Sequence, residues 1–304
     1  MNGLTINWRS ISWSAAALLL LLTLATPLNF VTIFLVMTPF VVLYSLLNVK
    51  SFAIHAIGIG LVAFLLSGAY GSVVLTLGFF FLVPSIAIGH LYKRGKSAKT
   101  AIVVGFVIIL AQLLLELALF SAMFDVNLKA ELASMIQDSL KQLETGDLVK
   151  AGWATDTAGE FSDAIMNLLP MLLLLSAFLF TIVTHGLSRL SLRTVGAEAP
   201  ALPRAKTWRV SRSLVLYYLF AMIASMAMSD NADGYWSIAI SNLVPILRFA
   251  FTFQAIGFFF FLADAKKWPK AIPMILCVPL LLFPPLYLIG LIDAAFPLRK
   301  AFVK

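Results

Sequence analysis

The residues with chemistry to offer in this chain are few, and they lie inside apolar runs. Arg248 ends the stretch Asn242-Leu-Val-Pro-Ile-Leu-Arg248. An arginine near mid-bilayer costs about 2.5–3.5 kcal/mol on insertion scales, so it must face protein or water and find a partner. Glu116 is the carboxylate nearest to it in depth. At a rise of about 1.5 Å per residue, Glu116 falls roughly two-thirds of the way to the outer face and Arg248 about 18 Å in from it. Gln112 shares a helical face with Glu116 and completes a polar cluster. Such a set serves either as a ligand or ion site open to the outside or as an interhelical ion pair that fixes packing. Asn242 precedes Pro245 and can bond backbone groups that a proline frees.

Other chemistry is sparse. Cys277 is the single cysteine and lies in an apolar run, so the chain has no disulfide framework and no cysteine metal site. His55, His90 and His185 stand in separate segments without ligand spacing. There is no phosphate loop, nucleophile elbow or His-Glu-x-x-His. Glu116 and His185 would be an acid and a base, but their depths put them on opposite sides of the membrane. We therefore expect no enzyme and no cofactor.

The elements that must position these residues are membrane helices. Apolar residues make up 61% of the chain and mean hydropathy is +0.98, which is far beyond a soluble domain. Apolar stretches long enough for a bilayer need roughly 20 residues each. We read an all-α, polytopic integral membrane protein with eight or nine transmembrane segments. The spans fall near Ile11–Thr26, Phe30–Leu47, Phe52–Ser67, Ser72–His90, Ala101–Phe124, Ile165–His185, Ser213–Met228, Trp236–Leu262 and Ala271–Phe296. Ala56-x-x-x-Gly60 and Ser85-x-x-x-Gly89 suit small-residue helix contacts. The Phe258–Phe261 run reads as lipid-facing or packing surface, and His55 as a packed interface residue.

Three regions follow: a five-span bundle over 1–124, an extracytoplasmic excursion over 125–163, and a C-terminal membrane region over 164–304. The excursion places Leu128, Leu132, Met135, Ile136, Leu140 and Leu143 within one stripe of a helix. It predicts an amphipathic helix that lies on the membrane surface or packs over span ends.

The net charge of +8 sits in short loops between spans, as the positive-inside rule expects, and argues against nucleic-acid binding. With a cytoplasmic N-terminus, Lys50 and the loops around Lys93–Lys99, Arg189–Arg212 and Lys266–Lys270 are all cytoplasmic. The excursion and the acidic turn Asp230–Gly234 are then outside. The last stretch carries Pro273, Pro279, Pro284 and Pro285. A single crossing would put Arg299, Lys300 and Lys304 outside, against the rule; a proline-broken re-entrant pair would keep them inside. The sequence leaves both open.

The last third of the chain resembles the YybS-like family of bacterial membrane proteins, a domain family of unknown function. The resemblance rests on Asn242 to Arg248, Gln254-Ala-Ile-Gly257, Pro284-Pro285, and Gly290-Leu-Ile-Asp293-Ala-Ala-Phe296-Pro-Leu-Arg299. It adds Gln254 to the candidate polar cluster and implies a multi-pass protein of the bacterial inner membrane. It also implies a first half similar to the S components of energy-coupling-factor vitamin transporters, a fold with which the cell-shape protein MreD has been grouped. Of the S-component contact motif only Ser12-x-x-x-Ala16 comes close. The functional expectation is a solute-binding or transport subunit without its own ATPase, energised by a membrane partner. A non-catalytic scaffold of envelope assembly is the alternative.

Overall fold

The structure is a computed structural model that describes residues 8–124, 127–144, 150, 152–228, 235–269, 271–296 and 298–302. Every regular element among these residues is a helix. The helices are α1 (Trp8–Thr23), α2 (Asn29–Thr32), α3 (Met37–Leu46), α4 (Val49–Leu66), α5 (Gly71–Lys93), α6 (Ala98–Phe124) and α7 (Leu128–Glu144). They continue as α8 (Trp153–Thr194), α9 (Ser213–Ala227), α10 (Tyr235–Ala265), α11 (Ala271–Leu282), α12 (Tyr287–Ala295) and α13 (Leu298–Phe302). The acidic turn Asp230–Gly234 lies outside the described residues.

Five helices have the length and hydropathy to cross a membrane: α4, α5, α6, α8 and α10. Helices α1, α3, α9 and most of α11 are apolar but shorter. Two segments depart from the hydropathy reading, each for a backbone reason. The expected span over 30–47 is two helices joined by turn residues. Pro39 has no N–H for the Leu35 carbonyl, which is taken by Thr38 N at 3.0 Å, so the chain tightens there. The expected span over 165–185 is the middle of a 42-residue helix, α8. That helix is about 63 Å long, twice a hydrocarbon core of about 30 Å. Polar side chains end a hydrophobic run without ending the backbone ladder.

The chain divides into two compact units, one made of Met1–Asp125 with Leu173–Leu202 and the other of Val126–Leu172 with Pro203–Lys304. In the first unit α3 is the central element. Residues Met37 to Tyr44 are buried consecutively, so this helix has no lipid or water face. It packs on α1, α4 and α5. Gly89 permits the closest approach: a Cβ there would stand 2.9 Å from the Tyr44 ring. One turn away, Ser85 Oγ donates to the Phe81 carbonyl at 2.6 Å and lies 3.3 Å from that of Met37. The Ser85/Gly89 spacing is thus a helix contact, made without bulk between two backbones. His55 meets Ser14 of α1 at 2.8 Å. Arg9 donates to the Val195 carbonyl at 3.1 Å, and Lys93 to that of Leu47. These bonds bring the start of α1 to the residues after α8, and the end of α5 to the end of α3.

In the second unit α10 is central and packs on α9, α11, α12, α13 and the turn at Ala205–Thr207. Helix α7 lies antiparallel to the start of α8. Gln137 donates to Thr155 Oγ1 at 2.6 Å, Ser162 donates to the Lys129 carbonyl at 2.8 Å, and Lys129 pairs with Asp163. Leu128, Leu132, Ile136 and Leu140 of its apolar stripe are half-buried, while Met135 is exposed. Helix α7 therefore has a helical partner for part of its stripe.

The final apolar stretch turns back on itself. Helix α11 has 12 residues, about 18 Å, too short for a hydrocarbon core. A 3₁₀ turn at Pro284–Leu286 follows, and α12 then runs parallel to α10. Tyr287 is beside Arg248, Asp293 beside Gln254, and Phe302 beside Phe258. Arg299 thereby returns to Lys206 and Trp208, close to the end of α10, where Lys206 pairs with Asp264 at 2.7 Å. Of the two arrangements the sequence leaves open, this is the re-entrant pair.

Candidate functional site

Arg248 emerges from the middle of α10 between two phenols. Its Nε donates to Tyr218 Oη of α9 at 3.4 Å, and its guanidinium lies 5.3 Å from the Tyr287 ring centroid at the start of α12. The two hydroxyls join at 2.6 Å. Tyr218 is fully buried, whereas Arg248 remains exposed. One phenol meets the cation by a hydrogen bond and the other by its ring face, and no carboxylate is among these contacts. Tyr287 arrives there only because α11 stops and α12 begins at this level. Glu116, exposed on α6, belongs to the first unit and Arg248 to the second.

Two of the three amides of the predicted cluster serve helices that contain a proline. Pro170 lies inside α8 and has no N–H for the Met166 carbonyl one turn back. The next rung, Asn167 O to Met171 N, is bonded at both ends by a side chain of α10: Asn242 Nδ2 donates to Asn167 O at 2.6 Å, and Asn242 Oδ1 accepts from Met171 N at 3.0 Å. Asn242 does bond backbone near a proline, but that proline is Pro170 on another helix rather than its own neighbour Pro245. On α5 Gln112 serves the carbonyl that the proline itself frees. Pro84 offers no N–H to Phe80 O, and Gln112 Nε2 donates to it at 3.1 Å.

His185 is buried in the first unit against Tyr92, with Tyr92 Oη 2.6 Å from His185 Nδ1.

Gln254 belongs to a network whose other members sequence reasoning did not select. Its Oε1 accepts from Val210 N at 2.8 Å and its Nε2 donates to Asp293 Oδ2. Arg299 closes on Asp293 with Nη2 at 2.8 Å and Nε at 3.0 Å, while Nη1 donates to Lys206 O at 2.8 Å and Nη2 to Trp208 O at 2.9 Å. The Asp293 and Arg299 side chains are 1% and 4% exposed, which makes this a dry, charge-assisted clamp. The signal was available: Asp293 is the only acidic residue after Asp264, and an acid in an apolar stretch implies a partner. Two glycines allow the approach. A Cβ on Gly290 would fall 1.8 Å from Phe251 O, and one on Gly257 would be 3.2 Å from Ala205 O.

Long apolar helices, a re-entrant pair and intramembrane polar bonds define a multi-pass α-helical membrane protein, which sits in a lipid bilayer. The chain belongs to the family described as predicted membrane protein (DUF2232), which it matches over residues 14–294. Among curated proteins it is similar to "Uncharacterized protein YybS" of Bacillus subtilis (strain 168), at 22% identity over 74% of this chain and 75% of that one. No solved structure matches it.

Proposed function

We propose that this protein is a solute-binding or transport subunit of the bacterial inner membrane, with a cytoplasmic N-terminus and no ATPase or enzymatic activity of its own. One observation carries the reading: the helix break at Pro284–Leu286 sets Tyr287 beside Arg248 partway along the membrane-embedded helix α10. Broken helices that meet near the midplane are how secondary transporters build solute sites. Irregular backbone at that depth belongs where protein or a water-filled cavity surrounds it. Arg248 would attract an anionic solute, and Tyr218 and Tyr287 would hold it in place. A larger cavity of about 330 Å³ between α4 and α5 is lined by apolar side chains such as Leu61, Phe64 and Phe79. It offers nothing to orient a charged solute. A first half of the S-component kind, which the family resemblance implies, would call for an energising membrane partner.

Scaffolding of envelope assembly is the second reading, favoured by the paired α7 and α8 helices, which offer a preformed surface to a partner. The test is solvent access at Arg248. In a Cys277→Ser background, Arg248→Cys should react with a polar, membrane-impermeant thiol reagent, as a solvent-filled site requires. Complete protection, with envelope proteins and no ATPase co-purifying from native membranes, would replace transport by the scaffold.

A further inference from the structure

At the opposite end of α12 from Arg248 lies a second cavity, of about 200 Å³, lined by Arg209, Arg212, Gln254, Asp293, Arg299 and Lys300 among others. Four of these are cations and one is an acid. Asp293 is committed to Arg299 and Gln254. Among the described residues Arg209, Arg212 and Lys300 form no ion pair, in contrast to Lys206, which is held by Asp264. Three cations around one hollow repel each other unless an anion joins them.

Their placement is built rather than loose. Arg299 holds Trp208 O and Gln254 holds Val210 N, so the backbone is pinned on both sides of Arg209. Lys300 follows Arg299 directly, so its backbone starts from the same buried pair. Gln254, Asp293 and Arg299 are 2%, 7% and 3% exposed, giving the hollow a rigid polar floor. Its volume is below the roughly 300–1,000 Å³ of drug-sized sites, which suits a small, multiply charged group. Guanidinium forks match tetrahedral oxyanions through paired N–H donors. Phe296, 60% exposed, stands at the rim, and a basic pocket beside membrane helices is a known geometry for anionic headgroups.

We propose that this cavity binds a phosphate-type oxyanion, carried by an anionic lipid headgroup or by a soluble phosphate ester. The site is independent of the Arg248 reading and stands if transport fails.

The test uses the full chain, purified in mild detergent and delipidated, with phosphatidylglycerol, phosphatidylcholine, inorganic phosphate or chloride added. Native mass spectrometry reads retained lipid, and thermal unfolding reads stabilisation. Wild type should retain phosphatidylglycerol over phosphatidylcholine, and Arg209→Gln with Arg212→Gln should weaken this by about tenfold or more, as loss of charge-assisted bonds implies. Stabilisation by inorganic phosphate above chloride, without lipid preference, would assign the site to a soluble ester. Lys300→Gln, a single exposed substitution, gives a second variant should the double one misfold. The proposal is overturned if neither phosphatidylglycerol nor inorganic phosphate distinguishes wild type from the variants.

Discussion

Arg299 and Asp293 form a buried ion pair, 2.8 Å apart, that fastens the returning end of the re-entrant stretch to the loop at Lys206 and Trp208. The pair carries the consequence that one partner alone is worse than neither, because the survivor is left charged in a dry place. Arg299→Leu should therefore destabilise the protein by about 3–5 kcal/mol, read as a lower midpoint of thermal unfolding in detergent. Arg299→Leu with Asp293→Leu should recover part of the loss. Equal stability of the single and double variants would mean the pair is not desolvated.

The topology prediction follows from the same bond. With Cys277→Ser as background, Lys300→Cys and Lys266→Cys should be labelled from the same side by a membrane-impermeant thiol reagent. Labelling from opposite faces would make the last stretch a full crossing.

Asn242 bonds both ends of the α8 rung beside Pro170. Asn242→Ala should cost about 1–3 kcal/mol, the penalty for stranded buried polar groups. In a double-mutant cycle, Pro170→Ala should reduce that cost, since relieving the proline ring lets the helix tighten and hold the Asn167–Met171 rung without help. Additive effects would show that Asn242 acts elsewhere. Gln112→Leu with Pro84→Ala offers the parallel cycle on α5.

Gly290 is where α12 touches the α10 backbone. Gly290→Ala places a methyl 1.8 Å from the Phe251 carbonyl, and neither backbone can give way without opening the Gln254–Asp293 bond. The expected outcome is loss of accumulated protein, or a thermal midpoint lower by several degrees, corresponding to about 1–3 kcal/mol or more of overpacking. Gly58, which faces open space, is the control, and its alanine variant should behave like wild type.

Much of the architecture was legible without coordinates. Hydropathy marks where helices lie because lipid admits only chains that satisfy their own backbone, so the all-α character and the re-entrant alternative come from composition and proline positions alone. Residue types also singled out Arg248, Glu116, Asn242 and Gln112, since polar groups in lipid must find partners, and the family resemblance added Gln254. What hydropathy could not say was which partners. Asn242 lies 72 positions beyond Pro170 and Gln254 lies 39 before Asp293, and such pairings depend on how helices cross. The true ends of α8 were also hidden, because polar side chains stop a hydropathy window but leave the hydrogen-bond ladder intact. Two phenols around Arg248, a dry clamp at Asp293 and three cations around one hollow exist only once α12 runs beside α10. That approach is set by the missing side chain of Gly290, and Gly257 lets the loop at Ala205 and Trp208 close on α10, absences whose meaning a linear sequence does not display.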